Sequence, residues 1–244
     1  MDTELEELKS ALRSSSHAIF FGGAGMSTAS GIPDFRGQAG LYTTSAEDEP
    51  EYLLSDTCLK REPKRFFAYY RSSILHPEAK PNAGHYALAE LEKQGILHAV
   101  ITQNIDGLHQ AAGSGRVLEL HGSVARTYCM KCMRPVESCV ITETAGIPRC
   151  ETCGGIVRPD VVLYGEFLPH DVFEQAQEEI EKADLLIVGG SSLTVQPAAS
   201  LVERFIRKKS PHFLAILNKS ATYYDSTAEV IIREPLEKVL PELI

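Results

Sequence analysis

Phe21-Gly22-Gly23-Ala24-Gly25-Met26-Ser27-Thr28-Ala29-Ser30-Gly31-Ile32-Pro33-Asp34-Phe35-Arg36-Gly37 follows directly on an apolar run, Ala18-Ile19-Phe20-Phe21. The run reads as a buried strand and the glycines as the turn at its end. Gly22, Gly23 and Gly25 are free to take backbone angles that other residues avoid, and they let another group come close to the main chain. A helix beginning near Met26 would aim its free N–H groups and dipole at whatever lies above the turn, which suits a diphosphate. The spacing is not the common G-x-G-x-x-G, and a bare glycine turn is as often empty as occupied. The tail of the stretch tips the balance. Pro33 and Gly37 keep Asp34, Phe35 and Arg36 out of helix. There an arginine can pair with phosphate, a phenylalanine can cover a flat ring and an aspartate can orient a polar group.

Outward from that turn, strands and helices alternate. Leu5, Leu8 and Leu12 give residues 2–15 one apolar helical face. Further buried strands are expected at 97–102, 117–120, 184–190, 213–217 and near 228–232, with 161–166 bringing the chain back after a cysteine-rich insertion. Helices are expected at 82–94, capped by Asn82 and closed by Gly95, and at 171–182 and 196–209. This order predicts an α/β fold: a Rossmann-like parallel sheet with helices on both faces. Polar or glycine-rich tips end the strands at 22–36, 103–106, 189–192 and 218. A parallel sheet brings all four to one edge, the place where open α/β sheets bind ligands. Residues 37–63 read as a flap over that edge. The aromatic helix 63–75, with Phe66, Phe67, Tyr69, Tyr70 and Ile74, reads as core with one side available to line an apolar channel.

The chain has 244 residues and a formal net charge of -9, from 24 basic and 33 acidic side chains. That balance argues against a nucleic-acid partner held by general electrostatics. No apolar run approaches the ~20 residues that span a bilayer. The acidic start, Met1 to Glu7, does not read as a signal peptide, so a cytoplasmic location is expected. Cys129, Cys132, Cys150 and Cys153 form C-x2-C, seventeen residues, then C-x2-C. Two such knuckles complete a tetrahedral four-sulfur zinc site with no open position, hence a structural one. A reducing compartment disfavours disulfides instead. Cys58 reads as a small buried residue, and Cys139, between the pairs, as packing.

These motifs in this order resemble the sirtuin family of NAD-dependent protein deacylases. The resemblance runs from about 17 to 241. It is carried by Gly23-Ala24-Gly25-Met26-Ser27, Gly31 to Gly37, Thr102-Gln103-Asn104-Ile105-Asp106-Gly107-Leu108-His109, Leu120-His121-Gly122, Tyr164-Gly165-Glu166, Gly190-Ser191-Ser192-Leu193, Asn218 and the two C-x2-C pairs. It implies a large NAD-binding domain (1–36, 76–123 and 161–244) and a small domain (37–75 and 124–160) containing a zinc ribbon. NAD and an acylated lysine of a protein or peptide would meet between them. Ala24, Gly25 and Arg36 would hold the diphosphate and nearby ribose, and Ser191, Ser192 and Asn218 the adenosine half. Phe35 would screen the reactive carbon, Gln103 and Asn104 would contact its ribose and water, and Asp106 the carboxamide. Gly23, Asp34 and Gly190 complete the cofactor set. His121 would be the general base, with Asn104 and Asp106 beside it. Val162, Leu163, Tyr164 and Gly165 would pair with the peptide as an added strand. His85 and His109 read as structural.

The implied reaction moves the acyl group from lysine to ADP-ribose and releases nicotinamide. Transfer of ADP-ribose to protein, or a non-enzymatic NAD-binding module, are the alternatives; the presence of Asn104, Asp106 and His121 together favours deacylation. Two departures from the family pattern stand out. Phe167 replaces an asparagine after Gly-Glu. Arg71 is present, but Ala68 stands where relatives that remove acidic acyl groups carry tyrosine, so neutral acyl groups are expected.

Overall fold

The computed structural model describes residues 2–34, 40 and 50–244. Its large sheet has six strands in the order β3-β2-β1-β7-β8-β9. They are β1 Ala18–Gly22, β2 Leu97–Thr102, β3 Val117–Glu119, β7 Leu185–Gly189, β8 Phe213–Leu217 and β9 Val230–Ile232. Every pairing in this sheet is parallel. All five residues of β1 are buried, as a central strand covered on both faces requires. Alternate side chains enter different cores: Ala18 and Phe20 pack with the helices Asp2–Ser14 and Ala83–Lys93, while Ile19 and Phe21 pack with His170–Lys182 and Ser200–Ile206. The chain runs outward from β1 to β3 and then returns to lay β7 on the other side of β1. The strand order therefore reverses between β1 and β7, where a crevice opens beyond the carboxyl ends.

A second sheet has three strands in the order β5-β4-β6: β4 Gly122–Cys129, β5 Pro135–Val136 and β6 Val157–Val161. It is antiparallel. The expected strand at 161–166 thus ends where it was to begin, because Val157–Val161 is committed to β4 of this small sheet. A third core joins Leu54, Phe66, Phe67, Tyr70, Ile141, Val161 and Leu163. Among the described residues no helix is long and apolar enough to cross a membrane.

Several elements differ from the expectation. No α-helix starts at Met26; two single 3-10 turns, Ala24–Met26 and Thr28–Ser30, stand there instead. Gly31, at φ +85°, turns the chain away after them. Nor are Gly22, Gly23 and Gly25 among the residues at positive φ. Their need is space. A Cβ on Gly25 would lie 2.7 Å from Gly190 Cα, and one on Gly23 would lie 2.8 Å from Gly190 O. The two glycine turns are packed backbone to backbone, with Gly25 N donating to Gly190 O at 2.8 Å and Gly23 N to Gly189 O at 3.0 Å. The helix expected over 196–209 is shorter, Ser200–Ile206. The aromatic helix is α-helical only over Pro63–Tyr69 and continues as a π-turn, Tyr70–Ile74. Asn82 caps its helix as expected, accepting from Gly84 N at 2.9 Å. Its amide also reaches Met26 O (2.8 Å) and Ser30 Oγ (3.0 Å), which ties that helix to the glycine turn.

Candidate active site

The edge formed by the carboxyl ends of β1, β2, β7 and β8 is one wall of a cleft of about 1080 Å³. That is at or above the upper end of ordinary small-molecule sites, ~300–1,000 Å³, and leaves room for more than one ligand. Ala24, Gly25 and Asp34 line it from the first turn, Gln103, Asn104 and Asp106 from the end of β2, and His121 from the end of β3. Gly190, Ser191 and Ser192 line it beyond β7, Asn218 beyond β8, and Val162, Leu163, Tyr164 and Gly165 from the far side. Gly23 lies behind the wall, packed on Ser191. Phe35, Arg36 and the tip of the expected flap, including Leu41 and Tyr42, fall outside the described residues.

Hydrogen bonds aim the polar groups. Ser27, 1 % exposed, donates through Oγ to Asp106 Oδ2 at 2.6 Å and accepts from Asn104 Nδ2 at 3.0 Å. Leu108 N donates to the other carboxylate oxygen of Asp106 at 2.9 Å. Ser191 Oγ donates to Gln103 Oε1 at 2.9 Å, which turns the amide so that Nε2 is left over. That nitrogen is buried in the cleft wall with no partner among the described residues. An orphaned donor here fits a site that receives a ribose hydroxyl or another ligand oxygen.

His121 Nδ1 lies 2.9 Å from the carbonyl of Gln103. A carbonyl only accepts, so Nδ1 carries the proton and Nε2 the lone pair. Burial pushes the imidazole pKa below its ordinary value, and the Gln103 carbonyl opposes this only in part. The His121 imidazole is therefore neutral at neutral pH. His85 and His109 are buried with rings 4.9 Å apart, and burial drives their pKa values to about 4 and about 3. His85 Nδ1 accepts from Asn82 N at 3.2 Å in the helix cap, a structural role as expected.

On the far side of the cleft, the segment 162–165 is shaped by an ion pair between a buried arginine and a half-buried glutamate. Arg158, 4 % exposed, donates to Glu166 Oε1 at 2.5 Å and Oε2 at 3.0 Å, and to Val161 O at 2.7 Å. Glu166 Oε2 accepts in turn from Leu163 N at 2.9 Å. Val162 N donates to His121 O at 2.9 Å, and Tyr164 N to Leu54 O at 3.0 Å. Arg71 turns away from the cleft, donating to Ile141 O and Gly146 O, both at 2.6 Å. Ala68 is exposed and off the cleft wall; Tyr70 and Ile74 of the same segment are on it.

The sulfurs of Cys129, Cys132, Cys150 and Cys153 lie within 4.8 Å of one another. Zinc–sulfur bonds of ~2.3 Å in a tetrahedron separate the sulfurs by ~3.8 Å, and Cys129–Cys153 (3.4 Å) and Cys132–Cys150 (3.9 Å) bracket that. Backbone N–H groups of Cys132 and Lys131 aimed at Cys129 lower its thiol pKa to about 6, and those of Cys153 and Thr152 lower that of Cys150; against the Gly155 N–H, the neighbouring sulfurs push Cys153 up to about 11, a crowding of sulfurs that a cation between them relieves. Thiolates are what the metal needs. A Cβ on Gly155 would stand 2.8 Å from Cys129 Sγ, so the turn after the second knuckle must be bare. The residues fit a structural zinc. Cys139, expected to pack, is instead exposed at the start of a short helix, Cys139–Glu143, on the rim of the cleft.

The Sir2 family model matches residues 23–197. The chain belongs to the Sir2 family. A family relative from Cutibacterium acnes, named NAD-dependent protein deacetylase, is 52% identical over 96% of this chain and 95% of its own length. One of the same name from Clostridium perfringens is 48% identical over the whole of both chains. A solved Sir2 structure with a deacetylated p53 peptide and 3'-O-acetyl-ADP-ribose superimposes with a TM-score of 0.91. It shares 36% identity over 98% of this chain and 96% of that one. Two residues of this Sir2 cleft, and one buried behind it, carry no role in the sequence reading. Ser27 stands inside the first motif, yet its partner Asp106 is 79 residues away. Arg158 reads as an ordinary strand residue until Glu166 folds back on it. Tyr70 reads as core and is core, and it also lines the cleft.

Proposed function

We propose that this Sir2 protein is an NAD-dependent protein-lysine deacetylase that moves the acyl group of a modified lysine onto ADP-ribose and releases nicotinamide. The observation that carries this reading is the neutral imidazole of His121, with its Nε2 lone pair, in the same cleft as the two glycine turns and the Asn104–Asp106 pair. A binding module has no need of a base there. NAD supplies the ribose that receives the acyl group. His121 takes a proton at Nε2 from a hydroxyl of that ribose, which makes the oxygen a nucleophile toward the acyl carbon. Asp106, held by Ser27 and Leu108 N, orients the carboxamide; Asn104 and Gln103 hold the ribose and its water. Ala24, Gly25, Asp34, Phe35 and Arg36 attend the diphosphate and nicotinamide half, and Gly190, Ser191, Ser192 and Asn218 the adenosine half, with Gly23 setting the turn.

The peptide lies against 162–165. Leu163 and Tyr164 amides are already used within the chain, so the Val162 carbonyl and the Gly165 backbone are the groups left for it. The large domain comprises 1–36, 76–123 and 161–244, and the small domain 37–75 and 124–160. A zinc site built of four thiolates suits a reducing compartment, which supports a cytoplasmic location.

Incubation with NAD and an acetyl-lysine peptide tests the reading, with acetyl-ADP-ribose sought by mass spectrometry. ADP-ribosylated protein in its place would support the transfer reading, and no nicotinamide release a binding module. Ser27→Ala removes one hydrogen bond to a carboxylate and one from Asn104, together worth ~2 kcal/mol. Its kcat/KM for deacetylation is expected to fall by up to about 30-fold, chiefly through the KM for NAD, with the unfolding midpoint lowered by about 4–8 °C.

A further inference from the structure

The strand that leaves His121 falls out of step with its neighbour. Ser123 of β4 pairs with Asp160 of β6, and the next pairing is Thr127 with Pro159. A step of four residues on β4 thus matches a step of one on β6, and Val124, Ala125 and Arg126 stand outside the ladder. Such bulges are common beside active sites, where they re-aim side chains. Here Val124 N donates to Ile105 O at 2.9 Å, between Asn104 and Asp106, and Val124 and Ala125 line the cleft. Arg126, the third, reaches the end of β3 instead.

Arg126 Nη1 donates to Glu119 Oε2 at 2.6 Å, and its Nε to Asp160 Oδ2 at 2.9 Å. The two acceptors belong to different sheets. Glu119 is the last residue of β3, two before His121, and Asp160 lies in β6, two before Val162. One guanidinium therefore ties the strand that carries the imidazole to the strand that leads into 162–165. A planar fork with donors along two edges can bridge two carboxylates; a lysine head is a point charge on a flexible stem. Glu119 is 8 % exposed, so losing its cation would leave a buried carboxylate unpaired. Asp160 is about half exposed; that arm contributes little energy and chiefly fixes direction.

The imidazole depends on such a brace. Among the described residues its ring has one hydrogen bond, from Nδ1 to Gln103 O, which sets the ring but not the backbone beneath it. A catalytic group misplaced by about 1 Å can lose about 10²-fold in rate. We propose that Arg126 is a positioning residue for deacetylation: by bridging Glu119 and Asp160 it holds the β3–β4 junction so that His121 Nε2 meets the ribose hydroxyl. This rests on the deacetylase reading.

The test follows two reactions of the zinc-loaded full chain with NAD and an acetyl-lysine peptide: exchange of labelled nicotinamide into NAD, and formation of acetyl-ADP-ribose. Exchange precedes the use of the base and acyl transfer runs through it, so their ratio reports how His121 is set. Arg126→Met should raise the ratio of exchange to transfer about tenfold, with NAD affinity and zinc content unchanged. Arg126→Lys, able to hold one carboxylate but not both, should fall between. In a His121→Ala background Arg126→Met should cost no further transfer, because the two changes remove the same function. Should Arg126→Met fail to fold, Asp160→Asn decides: it breaks the exposed arm, leaves no buried charge unpaired, and should raise the ratio about threefold. An unchanged ratio, an equal loss of exchange and transfer, or an additive loss beside His121→Ala overturns the role of Arg126. Acetyl-ADP-ribose from the wild type alongside any of these leaves the deacetylase reading standing. Its absence from the wild type removes both.

Discussion

Replacing His121 by alanine is expected to lower kcat/KM for deacetylation by about 10²–10⁴-fold, the usual contribution of a positioned base. Affinity for NAD, measured by calorimetry, should change little. The imidazole touches the chain through Gln103 O, whereas the turns at 23–25 and 190–192, proposed to hold the cofactor, are braced on each other by backbone hydrogen bonds. Nicotinamide release should persist more than acyl transfer, because the base is needed only after the acyl oxygen has attacked. A parallel loss of NAD binding would show that the ring is structural. The pH profile gives a second readout. Burial holds the His121 pKa below the ordinary ~6.5. The base is active only when neutral, so wild-type kcat/KM should fall as pH drops through a midpoint below ~6.5. Residual activity of the variant should lack that limb.

Removing the metal should have an effect of similar size for a different reason. Structural zinc contributes on the order of 10 kcal/mol to domains of this kind. The core around the cysteines is small, with Cys129, Cys150 and Val157 its buried members, too little to hold the three-stranded sheet alone. Chelation, or Cys129→Ala, is expected to release one zinc per chain and abolish deacetylation, with loss of protection from proteolysis over 122–161. The six-stranded sheet should keep its amide-exchange protection. Gly155→Ala offers a graded version: its new Cβ meets Lys131 Cβ at 2.6 Å and Cys129 Sγ at 2.8 Å. It should weaken zinc retention measurably without removing a ligand. Full activity in the metal-free protein would show that the cluster does not support the cleft.

The large sheet was legible because its strands are short, unbroken apolar runs ending in glycine or polar tips. Such runs have few other places to go than the middle of a covered parallel sheet. The zinc knuckles were legible because their ligands are local in pairs. What stayed hidden depends on distant partners. Glycine at 23 and 25 announces a turn, but not that its reason is the backbone of Gly190 across the crevice. An α-helix after Gly25 is the natural reading of that turn, and nothing within it says that Ser27 is claimed by Asp106 and Asn104 while Gly31 turns the chain away. Cys139 looks like core by residue type; its exposure follows from how the short helix Cys139–Glu143 lies on the rim. Tyr70 belongs to an aromatic stripe, and nothing in that stripe says that the α-helix ends at Tyr69 and widens into a π-turn.

Gly122 joins the two sheets, directly after the base. It sits at φ +76°, and a Cβ there would fall 2.0 Å from Asp160 O, so no other residue fits that junction. His121 O receives Val162 N at 2.9 Å, one residue along from the Gly122–Val161 pairing. The proposed peptide-binding segment and the proposed base are therefore joined at a single junction that only glycine can occupy. In the function proposed above, a peptide seated against Val162 would be one backbone hydrogen bond away from the residue that carries the imidazole.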